Sequence, residues 1–272
     1  MTHEIAVVTT WEEFRERWMG GRPRQNFLLR GAMFPYQFTS PPLPDVLEGV
    51  REDEGTRILC GVVDETGKPG PYPEFQQMTT EQAVQSSALV AHFDSRRFGG
   101  PGQVFEGAAK IFDAWHDDLR QHGFSWNEPM AQRALFWGGP HCHSGYHYDS
   151  SYVLAWQVVG RKRFCWLKDP EKWCPHEVRR DNADFYDRMP CPPGITPDDV
   201  IECEMQPGDV LWNIMLTPHW VYSLDETCYS FNLTHFDLRC DGQASPIEEE
   251  LKEIRRERER QQEMLTVQEK AA

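Results

Sequence analysis

The residues with the most chemical capacity lie in one short run, His141-Cys-His-Ser-Gly-Tyr-His147-Tyr-Asp149. In an extended strand, residues i and i+2 point to the same face. His147 and Asp149 can therefore reach one cation together. An imidazole and a carboxylate are two of the three groups of the 2-His-1-carboxylate triad that holds non-haem Fe(II). The H-x-D pattern alone carries little weight, because a chain with 10 histidines supplies such pairs by chance. Two others occur, His92-Phe-Asp94 and His116-Asp-Asp118. His116 falls in a helical stretch, where i and i+2 diverge by roughly 200° and cannot share a metal. His92 precedes a Gly-rich loop with no evident strand partner. Only His147-Tyr-Asp149 has a candidate third ligand on a later strand, His219. Three ligands on one face leave the remaining coordination positions open.

The elements needed to position these residues can be read around them. From Ala131 to Asp237, apolar and β-branched runs alternate with Gly, Pro and Asp punctuation. The runs are Ala134–Trp137, Tyr152–Val159, Arg163–Leu167, Val200–Met205, Val210–Met215, Val221–Leu224 and Tyr229–Phe236. Many short strands with turn signals predict an antiparallel sandwich or barrel. Pro207-Gly208-Asp209 reads as a hairpin turn. The stretch 168–199 breaks the rhythm with six prolines and is longer than the ~12–15 residues of an ordinary connection. It is read as an insertion over the barrel mouth that closes on substrate. Its Arg179, Arg180 and Arg188 would then meet a substrate carboxylate or the neighbouring Asp181, Asp184 and Asp187, and its Trp173, Phe185, Tyr186 and Met189 are the apolar groups of such a cover.

Upstream, Thr10-Trp-Glu-Glu13 and Thr79-x-x-Gln82 have capping-box form and predict short helices. Between Gly102 and Gly123, Val104, Phe105, Ala108, Ile111, Phe112, Trp115 and Leu119 make one broad apolar stripe, a helix facing a core. Downstream, Ser245-Pro246 opens a charged helix with a thin stripe of Ile247, Leu251, Ile254 and Leu265. That stripe fits a helix docked on its own domain or a two-chain seam. A homodimer through this helix is the expectation carried forward.

Composition bounds the rest. The chain has 272 residues and a formal net charge of -15, which argues against a nucleic-acid-binding face. Mean hydropathy is -0.64, and no run approaches the ~20 apolar residues of a membrane span. The N-terminus lacks a basic segment followed by an apolar one, so the expected compartment is cytoplasmic. The eight scattered cysteines lack a C-x-x-C pair and read as free thiols. Cys174-Pro-His176, likewise, lacks the second pair of a zinc site.

The segment His147-Tyr-Asp149, with Lys162 after twelve intervening residues, followed by Gln206-Pro-Gly-Asp-Val-Leu-Trp212, His219 and Asn232, resembles the JmjC/cupin-like Fe(II)- and 2-oxoglutarate-dependent oxygenases. The architecture is closest to the asparaginyl-hydroxylase type, and the match is strongest over 131–236. The resemblance implies an α+β fold: a double-stranded β-helix of jelly-roll, cupin or JmjC type, with flanking N-terminal helices and a C-terminal helix. One oxygenase domain would span 1–243, with its barrel over 131–237, and the charged helix would occupy 244–272. Fe(II) would be held by His147, Asp149 and His219. The cosubstrate 2-oxoglutarate would be held by Lys162 and Ser144 at its far carboxylate and by Asn232 near its C1 carboxylate, and O2 would be the oxidant. Two departures are evident. The asparagine expected four residues after the metal-binding aspartate is Val153, and the aromatic expected before the distal histidine is Pro218.

The expected activity is oxidation of a C–H bond of a small, amino-acid-like molecule. The alternatives are a peptide or protein hydroxylase or demethylase, a cupin that uses no 2-oxoglutarate, and a non-catalytic cupin-fold binding module. Whether Lys162 faces the cavity discriminates the cupin that uses no 2-oxoglutarate.

Overall fold

Side-chain alternation along one central strand sets the layers of the molecule. The computed structural model describes residues 5–20, 24–52, 56–60, 77–86, 89–93, 99–181 and 191–271. Within it, strands run over Val7–Val8 (β1), Phe27–Leu29 (β2), Thr56–Cys60 (β3), Leu89–Phe93 (β4), Phe124–Ser125 (β5), Arg133–Gly138 (β6), Tyr152–Val159 (β7), Lys162–Leu167 (β8), Val200–Met205 (β9), Val210–Asn213 (β10), His219–Ser223 (β11), Cys228–His235 (β12), Arg239–Cys240 (β13) and Gln243–Ala244 (β14). The eight-stranded sheet has the order β1-β2-β10-β7-β12-β6-β4-β3. Only its β1–β2 pair is parallel. A three-stranded antiparallel sheet has the order β11-β8-β9, and a small third sheet joins β14, β13 and β5.

In β12, Tyr229, Phe231, Leu233 and His235 are fully buried on one face, while Ser230, Asn232 and Thr234 take the other. The apolar face packs under helices, numbered here in chain order: Trp11–Met19 (α1), Leu43–Glu52 (α2), Thr80–Gln85 (α3) and Glu106–Gln121 (α4). Phe112 and Trp115 of α4 lie in one core cluster with Trp156, Trp212 and Phe231. The expected stripe is therefore realised, and both capping boxes form, at Thr10/Glu13 and Thr79/Gln82. The opposite face of the large sheet carries a second, smaller cluster. Leu28, Ala155 and Leu211 meet Phe164, Trp166, Cys203 and Met205 of the small sheet. The two sheets thus pack face to face over a shared interior.

Gly160 links them. Its φ is +63°, and a Cβ there would lie 2.3 Å from the Thr227 carbonyl oxygen. Only glycine fits this turn, which makes Lys162 the first residue of β8. The Pro207-Gly208-Asp209 turn forms as expected, with Asp209 Oδ2 accepting the Gln206 N–H at 2.8 Å.

The insertion departs from expectation. Pro170–Trp173 (α5) and His176–Asp181 (α6) are helical, and α6 lies against the C-terminal helix Pro246–Ala271 (α7). Arg179 is 1% exposed, pairs with Glu250 of α7, and donates from Nε to the Cys174 carbonyl at 2.7 Å. Arg180 pairs with Asp181. Both arginines are engaged within the protein instead of facing a ligand. Asp184, Phe185, Tyr186, Asp187, Arg188 and Met189 lie outside the described residues, as does the turn cluster 67–73.

The apolar stripe of α7 is also committed. Ile247, Leu251 and Ile254 are at most 5% exposed and join the main core cluster. Their apolar surface is already covered by their own chain, so this stripe gives the homodimer expectation no support. Replacing Leu251 by Ala is expected to lower the unfolding free energy by about 2–5 kcal/mol, the cost of a core cavity. Denaturant unfolding should give the same loss at every protein concentration, whereas a dimer seam would make it concentration-dependent.

Candidate metal centre

Two backbone hydrogen bonds bring the candidate ligands together. His147 N–H donates to the His219 carbonyl at 3.0 Å, and His219 N–H donates to the His147 carbonyl at 2.8 Å. This isolated antiparallel bridge joins the segment leading into β7 to the first residue of β11. His147 and Asp149 precede β7 instead of lying in a regular strand, so the bridge does the work assigned above to strand parity. Alternation still holds locally. Tyr148 turns the other way, is buried, and donates its hydroxyl to the Arg179 carbonyl at 2.9 Å. Asp149 is held by its backbone oxygen, which accepts Leu216 N–H at 2.8 Å.

One donor atom from each of His147, Asp149 and His219 lies within 4.8 Å of the other two, and no other such group of three occurs among the described residues. The rings of the two histidines are 4.3 Å apart, and His219 Nε2 lies 3.5 Å from Asp149 Oδ2. Each Nδ1 faces a backbone carbonyl, Gly145 at 2.7 Å and Thr217 at 3.0 Å. The proton then sits on Nδ1 and the Nε2 lone pair is free for a metal. Burial, reinforced by the neighbouring His147 ring, pushes the His219 imidazole down to about 4, so it is neutral at pH 7 as a ligand must be. Phe164 stacks on His219 at 4.9 Å and walls off that side. Two imidazoles and a carboxylate fit a first-row divalent ion with open positions.

Lys162 lies on the same interior. Cross-strand partners share a face, and the partners Trp166↔His219 and Lys162↔Ser223 put Lys162 on the face that carries His219. The ammonium is 6% exposed and donates to Ser230 Oγ at 2.9 Å. Burial pulls its pKa down to about 8. No described carboxylate forms an ion pair with it, an unusual condition for a buried cation.

Asn232 shares the face of Ser230, and its Oδ1 is buried without a hydrogen-bond partner among the described residues. Ser144 N–H donates to the carbonyl of Val221, the β11 residue two positions from His219 on the same face, at 2.9 Å. Its hydroxyl accepts Val221 N–H at 2.9 Å, an edge-pairing role. Ser230 and Asn213 were not singled out from the sequence. Ser230 could have been found by parity, two residues before Asn232 on the same strand. Asn213 had no signal beyond its place after the Pro-Gly-Asp turn.

The remaining candidates lie elsewhere. His141 is exposed near Asp225, and His143 packs on Tyr222. His176 pairs with Glu257, and burial pushes the Cys174 thiol up to about 11. His116 and His235 pack around Trp126 behind the large sheet, both driven toward the neutral form by burial. The His92 side chain and Asp94 lie outside the described residues.

No protein-family model matches the chain, and no curated protein matches its sequence. Solved structures do match. The X-ray structure of YcfD from Escherichia coli is 18% identical with a TM-score of 0.55, covering 86% of this chain and 54% of that one. YcfD, a ribosomal oxygenase, in complex with cobalt and 2-oxoglutarate is 18% identical with a TM-score of 0.52, covering 85% and 53%. Its complex with cobalt and succinic acid is 17% identical with a TM-score of 0.53, covering 85% and 52%. The chain thus shares its fold with a metal- and 2-oxoglutarate-binding oxygenase, in agreement with the resemblance read from its motifs, and spans about half the length of that protein.

Replacing Asp149 by Ala is expected to abolish stoichiometric binding of Fe(II) or Co(II). Metal analysis after anaerobic loading and desalting checks it, and parent-like metal content in the variant would reject the assignment.

Proposed function

We propose that the protein is an Fe(II)- and 2-oxoglutarate-dependent oxygenase whose two facing sheets form a double-stranded β-helix. The observation that carries this reading is the pairing, on one interior, of a two-histidine, one-carboxylate cluster with a buried lysine that lacks a carboxylate partner among the described residues. His219 and Lys162 occupy positions four residues apart along paired strands, roughly 13 Å in backbone position. A lysine side chain and a five-carbon diacid together span such an interval.

His147, Asp149 and His219 would hold the metal. Lys162 and Ser230 would hold the far carboxylate of 2-oxoglutarate, with the Asn232 amide directed to its near end. Bound iron supplies the oxidising chemistry, with O2 and 2-oxoglutarate, that attacks an unactivated C–H bond. The protein orients the reactants and keeps water out. Phe164 beside His219, and the apolar cluster between the sheets, do the latter. A cupin that uses no 2-oxoglutarate has no evident use for Lys162, and a non-catalytic module has no evident use for the open metal positions.

For the substrate, a small amino-acid-like molecule is the first reading. A peptidyl residue is the second, favoured by the likeness to a ribosomal oxygenase and by Tyr222, 41% exposed beside His143. Neither reading involves nucleic acid or a membrane, and among the described residues no helix is long and apolar enough to cross one. A reducing, cytoplasmic setting would suit the seven described cysteines, all free.

Conversion of 2-oxoglutarate to succinate, screened against amino acids, metabolites and peptides, tests the activity and separates the two substrate readings. Lys162→Ala should weaken 2-oxoglutarate binding about a hundredfold or more while sparing metal binding, because it removes one partner of a buried charge pair. The pH dependence has a definite sign. The empty site's lysine loses its proton above about 8, and only the ammonium pairs with the diacid. Apparent affinity should therefore hold below pH 8 and fall about tenfold per unit above it. Calorimetric titration across pH 7–10 reads this directly, and a flat profile would exclude Lys162 as the anchor.

A further inference from the structure

We infer that Asn213 is a positioning residue for the metal-binding carboxylate, holding it with a side-chain amide from the end of the strand next to β7. The inference rests on the metal-centre reading above. Asn213 is the last residue of β10 and is 1% exposed. Its Nδ2 donates to Asp149 Oδ2 at 2.8 Å. The same carboxylate oxygen lies 3.5 Å from His219 Nε2, so it is the oxygen turned toward the imidazoles.

A carboxylate rotates broadly about its terminal torsion. One fixed N–H on the oxygen nearest the histidines selects a single orientation. The donor is itself held in place. Ile214 N–H, the next amide in the chain, donates to the Oδ1 of buried Asn26 at 2.8 Å. Two residues further on, Leu216 N–H donates to the Asp149 carbonyl at 2.8 Å. The exit of β10 therefore fixes both the backbone and the side chain of Asp149.

The register explains why the amide stands at 213. Val153 of β7 is the direct cross-strand partner of Asn213. Paired residues share a face and lie within side-chain reach. Position 153 is where the oxygenase resemblance calls for an asparagine, and here it is apolar. Asn213 is the amide-bearing residue of this cross-strand pair. Its orientation is not free, since the reversed amide would set Oδ1 against a carboxylate oxygen. With Nδ2 on Asp149, Oδ1 is left buried with no partner among the described residues. That Oδ1 is open to a water or to a group bound at the centre.

The test uses Co(II) alone, titrated into the full chain and followed by calorimetry and by visible d–d absorption. The proteins are the parent, Asp149→Ala, Asn213→Leu, which keeps the volume and removes the amide, and Asn213→Ser, too short to reach Asp149 but small enough for the site. The parent should bind one Co(II) and Asp149→Ala none. Both Asn213 variants should bind roughly 10–100-fold more weakly, as for loss of a ligand-orienting hydrogen bond. Their Co(II) absorption should differ from the parent's, a change that a purely structural role would not produce. If Asn213→Leu fails to fold, Asn213→Ser decides. Parent-like affinity and spectrum in a folded Asn213 variant would overturn this role alone. Failure of the parent to bind Co(II) would overturn the metal centre and this inference with it.

Discussion

The paired backbone hydrogen bonds between His147 and His219 are the contact on which the site depends. Each is worth only about 0.5–1.5 kcal/mol net. Their importance lies in what they connect. His147 leads into β7 of the large sheet, and His219 begins β11 of the small one. The bridge closes the two sheets at one end, as the Gly160 turn does at the other. Without it, the imidazoles would ride on separate layers with no fixed separation. With it, ring and carboxylate positions follow from main-chain geometry, and the side chains need only small adjustments from Gly145, Thr217 and Asn213.

Desolvation then gives two groups on the same interior opposite outcomes. Burial is the largest influence on both His219 and Lys162, and in both it disfavours the charged form. The imidazole starts at 6.5 and falls to about 4, and becomes a neutral ligand. The amine starts at 10.5 and falls to about 8, and is still a cation at neutral pH. One low-dielectric interior therefore holds a neutral base at one position and a cation at another, the states the proposed metal and diacid require. Neither needs a dedicated partner to set its state. Among the described residues no carboxylate pairs with the lysine, which would make that interior more favourable for an incoming diacid than a pre-paired site.

Much of this was legible in the sequence because it rests on local rules. The strands Tyr152–Val159 and Val200–Met205 have the bounds that alternation and turn residues predict. The helix over Glu106–Gln121 buries the face its apolar spacing defines. The ligands His147, Asp149 and His219 could be named because motif spacing records strand order. The contact that Ser144 makes with β11 could not be read from the sequence. A hydroxyl near a ligand reads the same whether it meets a cosubstrate or a backbone N–H, and only the register of β11 shows that it meets Val221. Asn213 was missed for a related reason, since its partner is 64 residues away across a strand pairing that no local pattern encodes.

In the described part of the insertion, residues 168–181, composition alone does not say what the charges do. Arginines and aromatics in a long Pro-rich segment suit a substrate cover, and they suit a brace equally well. The deciding term is the state of the charges. Arg179 and Arg24 are almost fully buried, and both pair with Glu250 of α7. A charge withdrawn from water is held only where its partner stays in place, because separating such a pair costs several kcal/mol. A segment that swings open on each turnover would meet that cost each time. The carbonyl of the same Arg179 also takes the Tyr148 hydroxyl, and Tyr148 stands between His147 and Asp149. The helices α5 and α6 thus transmit the docking of α7 to the back of the metal-binding segment. On this physical ground residues 168–181 brace the centre, and the C-terminal helix, whose first turns fill the core with Ile247, Leu251 and Ile254, is part of what holds the ligands in register.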